Sequence, residues 1–339
     1  MKKRWFFAFF LGIILAGAVM FAGLFEFSGT KRQKQDNFIV LRGENVFQVA
    51  DNLKTEGYIE SKISFMIEAI ASKNFRKLKA GKYDLSDLNQ GQIIEKLSRG
   101  EVVPLVISVI PGWTINDIGK NLQSKSIAKK TDFLSYTLFS GENSSLNLAE
   151  LKKQFSFLED MPDGASLEGY LYPDTYQIAA NAKIPQIASR MLENFDKKVP
   201  SDLKAEIKRQ KKTIFEVVTM ASMLEKEVKT KTDKKIVAGI LWKRKEWGMT
   251  LDVDSTLLYF LASGHPSFDD KNVKSPYNTY KYGGLPKGPI CNPAIESIEA
   301  AVYPEVSSYW FYLSAKDGTT IFSRDYGEHL INKAKYLSD

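Results

Sequence analysis

The sequence of 339 residues holds a single cysteine, Cys291, and only two histidines, His265 and His329. One thiol cannot close an internal disulfide or build a thiolate metal cluster. Neither histidine stands at a metal-ligand or triad spacing, so serine-triad and metal chemistry are not expected, and no metal or cofactor is assigned. A nucleotide loop of the Walker type is missing as well, because Gly283-Gly284 and Gly288 lack the Gly-Lys-Ser/Thr ending. Arginine-rich segments, zinc-finger spacings and the aromatic-basic signature of an RNA-binding sheet are absent, which argues against nucleic acid. Acidic residues are outnumbered, 40 against 47 Lys and Arg, for a net charge of +7. The excess is scattered. It suits either an unspecific solvated surface or a polyanionic neighbourhood such as anionic lipid or cell-wall polymer.

What the N-terminus does contain is a long apolar run. Met1-Lys2-Lys3-Arg4 precedes an uncharged stretch from Trp5 to Phe25, and Glu26 is the first acid. A spanning helix needs about 20 apolar residues. The expectation is a cytoplasmic tail at 1–4, a single transmembrane anchor at 5–27, and a polar tether at 28–37. Basic residues ahead of the span favour a cytoplasmic N-terminus and an extracytoplasmic body at the plasma membrane. Ala16-Gly17-Ala18 offers the rival reading, a cleaved signal peptide, although the apolar stretch continues through Phe25. Either way the body is exported.

Two segments of the body share a pattern. Gly43-Glu44-Asn45-Val46-Phe47-Gln48 and Gly112-Trp113-Thr114-Ile115-Asn116-Asp117 each follow a strand-like run, Phe38 to Leu41 and Leu105 to Ile110. A turn glycine then meets a capping residue, Asn45 or Thr114, that opens a helix with apolar positions at helical spacing. The repeat reads either as duplication or as shared helix-start chemistry. Such units resemble the start of LysM-type modules, which bind glycans containing N-acetylglucosamine. Leu78 to Leu85 reads as turn plus strand, and Gln92 to Ser98 as a short helix ending at Gly100. The expected fold is α+β: a LysM-like module at 38–104, a second strand-helix module with its connection at 105–160, and a mixed α/β catalytic domain at 161–339. Within the last, Tyr309 to Ser314 and Thr319 to Ser323 predict a hairpin closed at Gly318.

Thr213-Ile214-Phe215-Glu216 has the form of a capping box and predicts a helix start. Along that helix Ile214, Val218, Ala221 and Val228 fall on one side, and Glu225 lies within about 20° of Val218. Glu227 points roughly 200° away. An acid on an inward stripe is either a general acid, whose pKa burial raises, or the partner of a buried Lys or Arg. Around it the sequence offers loops dense in Tyr, Asn and Thr, with Gly and Pro to fix the backbone. Their aromatic faces and polar donors suit sugar rings, and a rigid structural connection is the competing reading.

Four blocks, in order, carry a family resemblance: Leu167-Glu168-Gly169-Tyr170-Leu171-Tyr172-Pro173-Asp174-Thr175-Tyr176; Ala221-Ser222-Met223-Leu224-Glu225-Lys226-Glu227; Gly248-Met249-Thr250-Leu251 through Asp254 to Tyr259; and Ser275-Pro276-Tyr277-Asn278-Thr279-Tyr280 through Pro293. The chain resembles the endolytic murein transglycosylases of the MltG, or YceG-like, family. That resemblance implies a lyase that cleaves the MurNAc-GlcNAc bond inside nascent glycan strands of peptidoglycan, leaves 1,6-anhydro-N-acetylmuramyl ends, and so terminates strand elongation. It implies no metal or cofactor, and glycan strands, the membrane and wall-synthesis enzymes as partners. Glu225 matches the family's catalytic glutamate. Glu168, Tyr172, Asp174, Asp254, Thr256, Tyr277, Asn278, Thr279 and Tyr280 fall in the blocks expected to contact or brace the substrate. The chain departs from the family at Asp252-Val253-Asp254-Ser255-Thr256, where Gln-Ser-Asp-Pro-Thr is usual, and at Glu328-His329-Leu330, where Glu-His-Asn is usual. Two other readings remain. One is a non-catalytic, membrane-anchored glycan-binding scaffold of wall synthesis. The other is a hydrolase that pairs Glu225 with Asp254 and yields reducing ends.

Overall fold

The computed structural model describes residues 37–41, 43–74, 77–139, 144–179, 182–261 and 269–337. The tail at 1–4, the anchor at 5–27, almost all of the tether at 28–37, and His265 lie outside the described residues. Among those that are described, no helix is long and apolar enough to cross a membrane. The described chain mixes thirteen α-helices with three antiparallel two-stranded sheets, and it divides into two compact units at Val103/Pro104.

The first unit runs β1 (Phe38–Val40), α1 (Val46–Thr55), α2 (Lys62–Ala71), β2 (Gly81–Tyr83) and α3 (Gln90–Arg99). Asn45 caps α1 through a capping box with Gln48, and Gly100 closes α3 in the left-handed conformation, φ +73°. β1 pairs antiparallel with β2, Phe38 opposite Tyr83. Both rings turn inward onto Leu53, Phe65, Ile93 and Leu97, all with no exposed surface.

The second unit opens in the same way. β3 (Leu105–Ser108) leads to a turn and to α4 (Ile115–Ser124), which Thr114 caps. There the likeness between the two segments stops. β1 finds its partner after a helix pair, whereas β3 pairs with β4 (Thr175–Ile178), beyond α5 (Lys130–Thr137) and α6 (Ser144–Gln154). Leu105 faces Ile178 and Ser108 faces Thr175. Residues 105–160 therefore belong to one compact unit with the chain that follows.

The rest of that unit is built on α7 (Ile184–Lys198), α8 (Ser201–Arg209), α9 (Ile214–Glu227), α10 (Lys231–Glu246), α11 (Asp254–Leu261) and α12 (Ile295–Val302). It ends in the hairpin β5 (Phe311–Ser314) and β6 (Thr320–Ser323), followed by α13 (Tyr326–Tyr336). The hairpin turns at Gly318, φ +85°. Helix α9 is the centre of the core and packs on α12 and α10. Every residue from Val217 to Leu224 is buried. The apolar stripe expected from the sequence is thus not a stripe, because α9 is enclosed on all sides by its neighbours.

Close packing of α10 depends on Gly239. A Cβ built there would lie 2.0 Å from the backbone oxygen of Glu305, whose amide already bonds Lys235 O at 2.9 Å. Backbone cannot yield as a flexible side chain can. Gly239→Ala should therefore destabilise the fold by about 1–3 kcal/mol, seen as a lowered melting temperature in circular dichroism.

Candidate active site

Glu225 stands on the last turn of α9, where the helix leaves the core. Its side chain is 11% exposed. One oxygen, Oε2, accepts from Ser297 Oγ at 2.5 Å, from the Ala294 amide at 3.1 Å and from Lys234 Nζ at 3.3 Å. Ala294 is the N-cap of α12 and has no side-chain cap of its own. The carboxylate occupies that place, at the positive end of a helix. Burial pushes up the hydroxyl of Tyr172, which lies near the next amide, that of Ile295.

Glu168 lies in the interior, 2% exposed. It accepts from the Ile115 amide at 3.0 and 3.1 Å, from Asn292 Nδ2 at 3.1 Å and from Tyr259 OH at 3.1 Å. Burial outweighs the donation from Ile115 and Tyr259 and pushes its carboxyl up to about 8. Asn292 is the hub around it. Its Nδ2 also donates to Trp113 O at 2.9 Å, its Oδ1 accepts from Leu171 N at 2.9 Å, and its backbone pairs with Gly112 and Trp113. Ser222 Oγ accepts from Ile290 N at 3.0 Å and so ties this segment to α9, one turn before Glu225. The turn at Gly112 ends beside the acid, where Lys226 Nζ donates to Gly112 O at 3.2 Å.

Gly169 makes this convergence possible. Its φ is +89°, and a Cβ there would lie 2.7 Å from Pro289 Cβ and from Val218 Cγ1. Only glycine satisfies both conditions. The block at 167–176, α9 and the segment at 289–293 meet through it.

Glu227 sits on the opposite side of α9. It accepts from Tyr312 OH at 3.2 Å and from the Ser255 amide at 3.4 Å. Burial raises its pKa, with the charge of Asp254 adding to the rise. Asp254 is exposed at the start of α11, and its Oδ1 accepts from Tyr280 OH at 2.5 Å. Asp254 and Tyr280 therefore neighbour Glu227.

The other sequence-derived candidates divide by what they touch. Tyr277 is half-buried and packs its ring on Tyr259, centroids 5.1 Å apart. Asn278 is 1% exposed and fully engaged, donating to Lys271 O and Val273 O and accepting from the amides of Tyr280 and Lys281. Thr279 Oγ1 accepts from Val253 N at 3.0 Å and lies 3.0 Å from Thr256 Oγ1, which donates to Val253 O at 2.7 Å. These three side chains hold the loop rather than face a ligand. Asp174 is half-exposed near β4, where Asn194 Nδ2, 3.0 Å away, holds its carboxyl low. It lines a cleft of about 390 Å³ between β4 and α7, with Arg190, Glu193 and Lys197. Lys234, Ser297 and Asn292 were not singled out in the sequence.

The YceG-like family model matches residues 38–335. A Bacillus subtilis (strain 168) protein named endolytic murein transglycosylase is 29% identical over 96% of this chain and 92% of its own length. A Streptococcus pneumoniae (strain D39) protein of the same name is 27% identical over 87% of this chain, which spans 57% of that relative. The crystal structure of a YceG-like protein from Listeria monocytogenes superposes with a TM-score of 0.61 at 29% identity, covering 88% of this chain and 98% of that one. The match extends through both units and through every residue of the Glu225 and Glu168 clusters, and the chain belongs to the YceG-like family.

Proposed function

We propose that this chain is a lytic transglycosylase of murein, with Glu225 as its acid and base. The observation that carries the reading is the carboxyl of Glu225, 11% exposed, gripped through Oε2 at the meeting point of α9, α10 and α12. The names of the Bacillus and Streptococcus relatives support it.

A glycosidase that uses water works with two carboxyls across the scissile bond. A transglycosylase of this kind needs one, because the muramyl C6 hydroxyl replaces water. Protonated Glu225 gives its proton to the bridging oxygen as the bond from C1 to that oxygen breaks. The C6 oxygen then bonds to C1, and the Glu225 carboxylate takes the C6 hydroxyl proton. The acid is restored, and the strand ends in a 1,6-anhydro ring. Glu168, through Asn292 and Ile115, braces the turn at Gly112 beside the acid. Tyr277, half-buried against Tyr259, presents its ring to the sugars, whereas Tyr280 donates to Asp254 on the Glu227 side of α9. Thr256, Asn278 and Thr279 stiffen the loop that carries those tyrosines.

The finer parts of the reading extend this: cleavage within nascent strands that ends their elongation, a chain held at the plasma membrane by residues 5–27 with its body outside, and contact with wall-synthesis enzymes. The first unit is read as LysM-like, a second grip on the glycan. Its β-α-α-β order with one antiparallel pair supports that. Mass spectrometry of the products from defined, uncrosslinked glycan strands tests the core claim. Anhydro ends are expected. Reducing ends would mean a hydrolase, and uncut strands a binding scaffold.

A further inference from the structure

The donors to Glu225 are unevenly placed. All three reach Oε2, and among the described residues no hydrogen bond reaches Oε1. Two of them cannot easily turn away. Ser297 has no exposed surface and Lys234 has 4%, so either would leave a polar group unpaired in the interior. Glu225 is the one hydrogen-bond acceptor of the Lys234 ammonium among the described residues.

We propose that Lys234, together with Ser297, is a positioning residue that pins Oε2 and leaves Oε1 as the oxygen that exchanges the proton with the glycan. This rests on the acid/base role of Glu225. When Oε1 releases its proton, negative charge returns to a carboxylate already faced by an ammonium, a hydroxyl and a helix N-terminus. Donors that grip the carboxylate more strongly than the acid lower the barrier to protonating the bridging oxygen. They are fixed before the reaction begins, so nothing has to reorient as charge develops.

The other ionisable groups near the acid leave this role to Lys234. Burial pushes up both the Tyr172 hydroxyl and the Cys291 thiol, which keeps them neutral near pH 7. Lys226 donates to Gly112 O, and Lys231 is paired with Glu299 at 2.9 Å. Glu168 is enclosed in its own cluster of donors. Glu227 and Asp254 lie across α9.

The test measures kcat and KM of anhydro-end formation, with the folded fraction by circular dichroism, for the full chain and for Lys234→Met, Lys234→Arg and Ser297→Ala. Lys234→Met should lower kcat at least about tenfold while KM stays within about twofold, the mark of an interaction made in the transition state. Lys234→Arg restores a charge of the same sign and should return kcat toward the parent with KM unmoved. Ser297→Ala should lower kcat by a smaller step, again with KM unmoved. If kcat per folded molecule is unchanged in the variants, so that each loss of activity matches the unfolded fraction seen by circular dichroism, Lys234 is merely structural and the proposal is overturned. Should Lys234→Met not fold, Ser297→Ala and Lys234→Arg decide by the same criterion. A parent protein that forms no anhydro ends removes the role of Glu225, and this proposal with it.

Discussion

On the proposed mechanism, Glu225→Gln reduces anhydro-end formation by at least about a thousandfold, because one group serves both proton transfers and each contributes roughly a hundredfold or more. The amide keeps the shape of the side chain and one oxygen for the Ala294 amide and Ser297 Oγ. It cannot keep the charge. Lys234 then loses its counter-ion at a site with 6% side-chain exposure, and breaking a buried pair from one side costs about 3–5 kcal/mol. The single variant should therefore be both inactive and less stable, and loss of activity alone does not separate the two. The double variant Glu225→Gln/Lys234→Met removes the unpaired charge and should recover most of the melting temperature with no recovery of cleavage. Glycan pull-down with the double variant completes the comparison, since a protein that still binds strands but no longer cuts them is an enzyme with its acid removed. Normal anhydro ends from Glu225→Gln would end the mechanism.

The sequence showed Glu225 for a reason that the fold only half supports. A helix start at Thr213 was legible, because a capping box is local chemistry, and Thr213 Oγ1 does accept from Glu216 N at 3.0 Å. The inner face of the helix was not legible in the same way. With Val217 to Leu224 buried all round, no rotation of the stripe distinguishes an acid at 225 from one at 227, and both carboxyls are in fact enclosed. The partners of Glu225 come from α10 and α12, 9 and 72 residues further on. Only the fold brings them together. One of them nonetheless had a signal. Lys234 shares helical spacing with Val237, Ala238 and Leu241, all buried, so the rule that selected Glu225 would also have selected a lysine on an inward stripe. Of the two readings offered for the acid, the structure shows the partner of a buried Lys, 3.3 Å away, and the general acid is the role proposed above. The loop at 275–280 had two readings, a surface for sugars and a rigid connection. A buried loop must first satisfy its own backbone, and Asn278 and Thr279, with Thr256 of α11, are used for that. Hairpin and cap positions read well because single residues decide them. The pairing of β3 with β4 did not, because its two strands stand 67 residues apart at Ser108 and Thr175.

Glu168 gives the second large effect, and it is one of stability rather than rate. Burial lifts its carboxyl from an ordinary value of 4.5 to about 8 in the folded chain. Between those values the folded protein holds a proton that the unfolded chain releases. Folding therefore takes up a proton, and stability falls as pH rises through that window. Below pH 4.5 the group is neutral in both states and costs nothing. Above pH 8 it is ionised in both, and the full penalty, on the order of 5 kcal/mol, has been incurred. The slope should appear in denaturant unfolding as a midpoint that declines from pH 5 to pH 8. Glu227, also raised by burial, adds to the decline, and His329, whose pKa burial lowers, opposes it. The diagnostic quantity is thus the difference between the parent and Glu168→Gln. The amide keeps an oxygen for Ile115 N and Asn292 Nδ2 and can donate to the Tyr259 oxygen, so the hub survives without an ionisable group. Glu168→Gln should flatten the profile and be the more stable protein at pH 8, with the gap closing toward pH 5. Parallel profiles across that range would mean that the four donor contacts on Glu168 already hold it ionised. The brace beside Glu225 would then rest on a charge instead of a neutral acid.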